Sequence, residues 1–150
     1  MVVKGGDDLR QEIICMQLIY KMQSIVKDAG LDIFIKPYEI IVLSENSGML
    51  EFVSNSISID AMKKEKDMNI PEFYSEVFNT EQKFVAAKTK FVRSLAGSSI
   101  LTYVLRLKDR HNGNILLDIE GNIIHIDFGF ILGMSPGGIN FESSPFKLTE

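Results

Sequence analysis

Asp109, Arg110 and His111 place a carboxylate, a cation and a titratable imidazole side by side, and Asn114 and Asp127 follow. Between Asn114 and Asp127 lie two short apolar runs, 115–117 and 123–126, separated by the polar stretch 118–122 with its Gly121. Apolar runs of this length around a glycine-containing turn read as a β-hairpin. With the turn centred between Glu120 and Gly121, Leu117 faces Ile124 and Asn114 faces Asp127. An amide oxygen and a carboxylate then meet at the open end of the hairpin. Oxygen ligands of this kind suit Mg²⁺, which takes one or two protein groups and completes its shell with phosphate and water. A base, a hydroxyl to deprotonate and a metal are the parts that phosphoryl transfer needs. Asp109 and His111 both qualify as the base, and His111 has the intrinsic pKa nearer neutrality. Taken singly, an Asp-Phe-Gly or an Asn after a His says little. Their order, their hairpin spacing and the irregular segment beside them point to chemistry.

These groups need elements to hold them. Residues 8–29 read as a helix, with Asp7 or Asp8 at its start and Gln11 placed for a capping box. Leu9, Ile13, Met16 and Tyr20 give it an apolar face, and Gly30 closes it. Residues 1–4 read as a strand ahead of it. Two further β-type runs, 33–44 (broken by Pro37) and 49–53, flank a turn at 45–48 and predict a second hairpin. The mixed-charge run 63–67 reads as a solvated face or loop. Pro71 starts a short helix, and 81–107 is a long one with Phe84, Ala87, Phe91 and Leu95 on one stripe. From Asp127 onward, glycines and prolines exclude regular structure, and a loop of this length in a compact domain is functional or mobile. Strands first and helices later is an α+β arrangement.

The bulk composition excludes several classes. At 150 residues, 45% hydrophobic and 24% charged, the chain has the composition of one globular domain with a real core. A net charge of −4 gives no global field for nucleic acid, so any membrane contact must be local. The single Cys15 excludes a disulfide framework and a cysteine-built zinc site, and reducing cytosol is the natural compartment. The opening residues 1–8 lack the apolar core expected of a signal peptide, and no apolar run approaches the length that spans a bilayer.

The segment Lys108-Asp-Arg-His-Asn-Gly-Asn-Ile-Leu-Leu117 with His125-Ile-Asp-Phe-Gly129 resembles the catalytic loop and metal motif of the phosphatidylinositol 3- and 4-kinases. The opening Val3-Lys-Gly-Gly-Asp-Asp-Leu-Arg-Gln-Glu12 resembles that family's lysine strand and following helix, so the resemblance covers essentially the whole chain. Ile35-Lys-Pro-Tyr38, Asp127-Phe-Gly-Phe130 and 143–149 are similar to the 4-kinase branch, and within it to the type III beta group. The related giant protein kinases follow the His with Pro-Ser-Asn, which is absent here, so that reading is the weaker one.

The resemblance implies a protein-kinase-like catalytic fold. A partial N-lobe sheet and hinge would occupy 1–53. A helical C-lobe would occupy 54–150, with the catalytic loop at 108–116 and the activation segment at 127–148. It implies ATP and Mg²⁺, or Mn²⁺, as cofactors. Lys4 would contact the ATP phosphates, Glu12 would orient that region beside Tyr38, and Glu51, Phe52 and Val53 would form the adenine hinge. Asn114 and Asp127 would hold the metal; Asp109, His111 and Arg110 would be catalytic, and His125 structural. The family pattern places a phosphate loop before the lysine strand and helices after the activation segment. The resemblance therefore implies a fragment lacking both, weakly active alone, or a non-catalytic remnant. The implied substrate is phosphatidylinositol, and the implied placement is cytoplasmic and peripheral on membranes, at the Golgi. From Asp127 to Leu148 the only basic residue is Lys147, against Asp127 and Glu142, so a headgroup already carrying phosphates is expected to be rejected. Phe130, Ile131, Ile139 and Phe141 are candidates for contact with the bilayer.

Overall fold

A computed structural model describes residues 1–133. The elements are β1 (Val2–Gly5), α1 (Arg10–Asp28), β2 (Ile40–Ser44), β3 (Ser47–Leu50), β4 (Ser56–Ser58), α2 (Ile59–Lys66), α3 (Ile70–Val77), α4 (Glu81–Val104), a 3-10 turn (Asn112–Asn114), β5 (Ile115–Asp118) and β6 (Ile123–His125). They form two antiparallel three-stranded sheets, ordered β1-β3-β2 and β4-β5-β6. This is the mixed, α+β content expected of the sequence.

Local chemistry explains most boundaries. Asn69 and Glu72 close a reciprocal capping box on α3, with Pro71 in its first turn. Thr80 caps α4, accepting from the Lys83 N–H at 3.3 Å. Gly30, at φ +66, lets the chain leave α1 in the left-handed region. The start of α1 differs from expectation. Leu9 is its N-cap and makes no side-chain bond; Asp8 instead accepts from the backbone and guanidinium of Arg10, and no capping box forms. The buried face of α1 is also rotated. Leu9, Glu12, Cys15, Met16 and Ile19 face inward, whereas Tyr20 lies exposed. The charged Glu12 occupies this face because the fold supplies hydrogen bonds to it. Of 33–44 only β2 is a strand, since Pro37 offers no ladder N–H.

The element missed by periodicity is β4 with α2. Ser58 accepts from the Ala61 N–H at 3.0 Å and caps α2, so the charge run 63–67 is largely helical, with its lysines on the solvated side. Ile59 and Met62 bury the other side.

Two apolar cores follow from this layout. One gathers Cys15, Met16, Ile19, Tyr38, Leu101, Leu105, Leu107, Phe128 and Ile131. The other packs α2, α3 and the first half of α4 onto the β5–β6 hairpin through Ile59, Met62, Phe73, Tyr74, Ala87, Ile115 and Ile123. Cys15 lies in the first core, where burial, and secondarily the charge of Glu12, pushes its thiol up to about 12.

The β5–β6 hairpin is fixed by its turn. Asp118 accepts from the N–H groups of Glu120 and Asn122 at 2.9 and 2.8 Å, and Gly121 takes φ +94. Tyr74 donates to the Gly121 carbonyl at 2.6 Å, and the Ile123 N–H donates to Ser94 at 2.9 Å, tying the hairpin to α3 and α4. A Cβ at Gly121 would meet Ala87 at 2.8 Å, its backbone Cα and carbonyl at 2.9 Å, and would have to adopt a positive φ. Gly121→Ala is therefore expected to lower unfolding stability by about 2 kcal/mol or more, from strain and a backbone clash together. A urea melt of the variant checks this, and an unchanged midpoint would show that the turn relaxes freely.

Candidate active site

The two sheets and α2 enclose a cleft of about 730 Å³. Its lining includes the expected residues Lys4, Glu12, Tyr38, Glu51, Phe52, Val53 and Asp127. The rest of the wall is mainly apolar, from Val2, Leu50, Ile57, Leu116 and Ile126. Such a wall with a few polar groups at one end is the ordinary form of a small-molecule site.

At that end, Lys4 Nζ pairs with Asp7 at 2.7 Å and lies 3.9 Å from Asp127 Oδ1. Partial burial works against its charge, but the bond to Asp7 and the charges of Asp127 and Glu12 outweigh it and raise its pKa. The cation is therefore held at neutral pH and above. Glu12, buried behind it, accepts from the Tyr38 hydroxyl and, at 3.4 Å, from the Phe128 N–H. The Tyr38 oxygen in turn accepts from the Asp127 N–H at 3.2 Å. Burial, then the charge of Glu12, pushes the Tyr38 phenol far above its ordinary range, so it stays a donor.

The segment 51–53, expected to form the hinge, has a specific hydrogen-bond pattern. The Glu51 N–H is used by the Glu39 carbonyl at 2.8 Å, and the Val53 carbonyl by Ser56 Oγ at 2.7 Å. Among the described residues this leaves the Glu51 carbonyl and the Val53 N–H as an acceptor and a donor at the cleft wall.

The hairpin register differs from expectation by one residue. Ile115 pairs with His125 and Leu117 with Ile123, so Asn114 stands opposite Ile126, with their backbones bonded at 3.0 Å. The cause is the turn: Asp118 pairs with Asn122 around three loop residues ending in a left-handed glycine, not around a loop centred between Glu120 and Gly121. Asp127 still reaches the site because it leaves the strand at φ 60. Asn114 is buried, and its Nδ2 donates to the Asp109 carbonyl at 3.0 Å, which leaves Oδ1 as the acceptor end of the side chain. One carboxylate and one amide oxygen fit a hard divalent cation completed by phosphate and water. Among the described residues no group of three or more His, Cys, Asp or Glu is gathered.

Asp109 and His111 lie just before the 3-10 turn, with His111 at its N-cap. His111 Nδ1 accepts from the Gly113 N–H at 3.1 Å, and its Nε2 lies 3.9 Å from Asp109 Oδ2. Arg110 does not join them at the surface: it is buried and bonded to main-chain carbonyls. His125 is held neutral, its pKa pushed down to about 4 by burial and then by Arg110. Ile131 sits in the first core and is unavailable to a bilayer; Phe130 is half-buried, with its carbonyl accepting from Lys108 at 3.0 Å. Ile139, Phe141 and the segment 143–149 lie outside the described residues.

Sequence reasoning missed Asp7, which steadies Lys4, and the contribution of Ser58, Ala61 and Glu65 to the cleft wall. A signal for the second group was present: Ser58 followed by Ile59 and Met62 reads as a capped helix start.

Tyr38→Phe removes the donor to a buried carboxylate and the acceptor for the Asp127 N–H. It is expected to destabilise the fold by about 1–3 kcal/mol, measured as a shift in the denaturant midpoint. No shift would mean that Glu12 is not held as described.

The whole chain, residues 1–150, matches the family model described as phosphatidylinositol 3- and 4-kinase. The chain is 48% identical over 151 aligned positions to phosphatidylinositol 4-kinase beta of Sorex araneus, covering 99% of this chain and 19% of that protein. The human and mouse proteins of the same name are likewise 48% identical, with 18% of each covered. The chain thus spans less than a fifth of the length of these curated relatives. With a lysine strand, an acid–tyrosine pair and the Asp127-Phe-Gly129 motif around one cleft, and matched by the family model from end to end, the chain belongs to the phosphatidylinositol 3- and 4-kinase family.

Proposed function

We propose that this domain is the core of a lipid kinase that transfers the γ-phosphate of ATP to the 4-hydroxyl of phosphatidylinositol, giving phosphatidylinositol 4-phosphate. The observation that carries the proposal is the cleft in which Lys4, the Glu12–Tyr38 pair, the hinge 51–53 and Asp127 converge. Adenine would lie between the apolar walls and bond to the Glu51 carbonyl and the Val53 N–H. Lys4 would hold the phosphates, with Asp7 and Asp127 restraining its ammonium. Asn114 and Asp127 would hold Mg²⁺, or Mn²⁺. Bound there, the metal would neutralise charge on the transferred group and orient it. Asp109 or His111 would take the proton from the inositol hydroxyl.

The lipid preference follows from charge. The stretch from Asp127 to Leu148 offers Lys147 alone against two acids, which suits a headgroup without phosphate on its ring. Peripheral association with Golgi membranes from the cytosol belongs to the same proposal. No helix among the described residues is long and apolar enough to cross a membrane.

Two experiments on the full-length protein test this reading. Asp127→Asn removes a charged metal ligand worth several kcal/mol in the transition state, so turnover is expected to fall about a thousandfold with the fold intact. Wild-type turnover at saturating Mg²⁺ would sink the assignment. In matched vesicles, phosphatidylinositol is expected to be phosphorylated far faster than its 4,5-bisphosphate. Comparable rates on both lipids would refute the charge argument.

A further inference from the structure

Arg110 stands in an unusual place for the cation of a phosphoryl-transfer loop. It is buried, and it does not line the cleft. Its guanidinium donates from Nε to the Lys108 carbonyl at 2.9 Å, from Nη1 to the Ile126 carbonyl at 2.6 Å, and from Nη2 to the Asp127 carbonyl. Its Cζ lies 5.5 Å from the centroid of the Phe128 ring, over which it stacks. A guanidinium is a rigid planar fork of donors with no acceptor. Three carbonyls bound to one fork therefore set the position of the strand end at Ile126 and Asp127 against the loop at Lys108.

Asp127 is the residue most affected. At φ 60 it occupies a region that side-chain-bearing residues rarely adopt. Such a conformation persists only where the surroundings over-determine it. Here its N–H donates to Tyr38 and its carbonyl accepts from Arg110, so both flanking peptides are anchored. Rotation of either would swing the carboxylate away from Lys4 Nζ, now 3.9 Å distant. The Tyr38 anchor comes from the lysine-sheet side of the cleft and the Arg110 anchor from the catalytic loop.

This arrangement argues against a direct role on phosphate, because Arg110 is buried, does not line the cleft, and points three donors of its fork at main-chain carbonyls. We propose that Arg110 is a positioning residue, which clamps the Asp127 peptide to the catalytic loop so that its carboxylate is presented to the metal in a fixed direction. This rests on the reading of Asp127 as a metal ligand.

The test is calorimetric titration of ATP into the full-length protein, with and without Mg²⁺, for wild type, Arg110→Lys and Arg110→Gln. Lysine keeps the charge but loses the fork. Both variants are expected to bind metal-free ATP within about twofold of wild type, while the strengthening of binding by Mg²⁺ shrinks about tenfold or more, as when a residue supporting a metal ligand is removed. Retained Mg²⁺ dependence in Arg110→Lys would show that charge alone suffices and overturn the clamp. Loss of the far-UV spectrum in both variants would overturn it in favour of a purely structural role. Wild-type ATP binding that ignores Mg²⁺ would instead overturn the metal-site reading itself, and the clamp with it.

Discussion

The buried carboxylate of Glu12 is the constraint on which the site depends. Burying a carboxyl group is costly unless it finds hydrogen-bond partners. Its donors come from two distant parts of the chain, the Tyr38 hydroxyl and the Phe128 N–H. Satisfying one acid on α1 therefore fixes the segment before β2 and the segment after β6 in one arrangement. The first core is built around this junction, with Tyr38 and Phe128 rings 6.0 Å apart and Cys15, Met16 and Ile19 behind them. Polar network and apolar packing thus select the same geometry, which is the consistency that gives a fold a single native state.

The second core does different work. It fastens the β5–β6 hairpin to α2, α3 and α4, through apolar contacts and the bonds from Tyr74 and Ser94. These anchors lie at the closed end of the hairpin, while the open end carries Asn114 and Asp127. Rigidity at one end lets a short two-stranded element hold the buried Asn114 and the half-exposed Asp127 in a fixed arrangement at the other. A free hairpin of this size would be marginal in water.

Backbone conformation completes the site. Asp109 and Asp127 both take positive φ, at 58 and 60. Aspartate tolerates this region better than most residues, yet the strain is real and is offset by the bonds around it. The left-handed turn at Asp127 redirects the chain out of β6, and so it brings the carboxylate to the cleft although the strand register alone would not.

The sequence by itself determined the α+β content, the helix ends at Gly30 and Pro71, the start of α4 at Glu81 and the β5–β6 hairpin, while Lys4, Glu12, Tyr38 and 51–53 were reached through motifs shared with a family. These were legible because each rests on a local rule: a cap, a turn residue, a period, or a motif with fixed spacing. Three matters were decided only by tertiary structure. The face of α1 was misread because periodicity assigns an acid to solvent, and only a partner such as Tyr38, far along the chain, makes burial of Glu12 favourable. The register of the hairpin slipped by one because two- and three-residue loops share the same turn residues; packing of Gly121 against Ala87 and the bond from Tyr74 choose the longer one. Arg110 looked like a catalytic cation because its neighbours carry chemistry. Its buried place is set by carbonyls at Lys108, Ile126 and Asp127, which meet only when β6 and the loop are folded together.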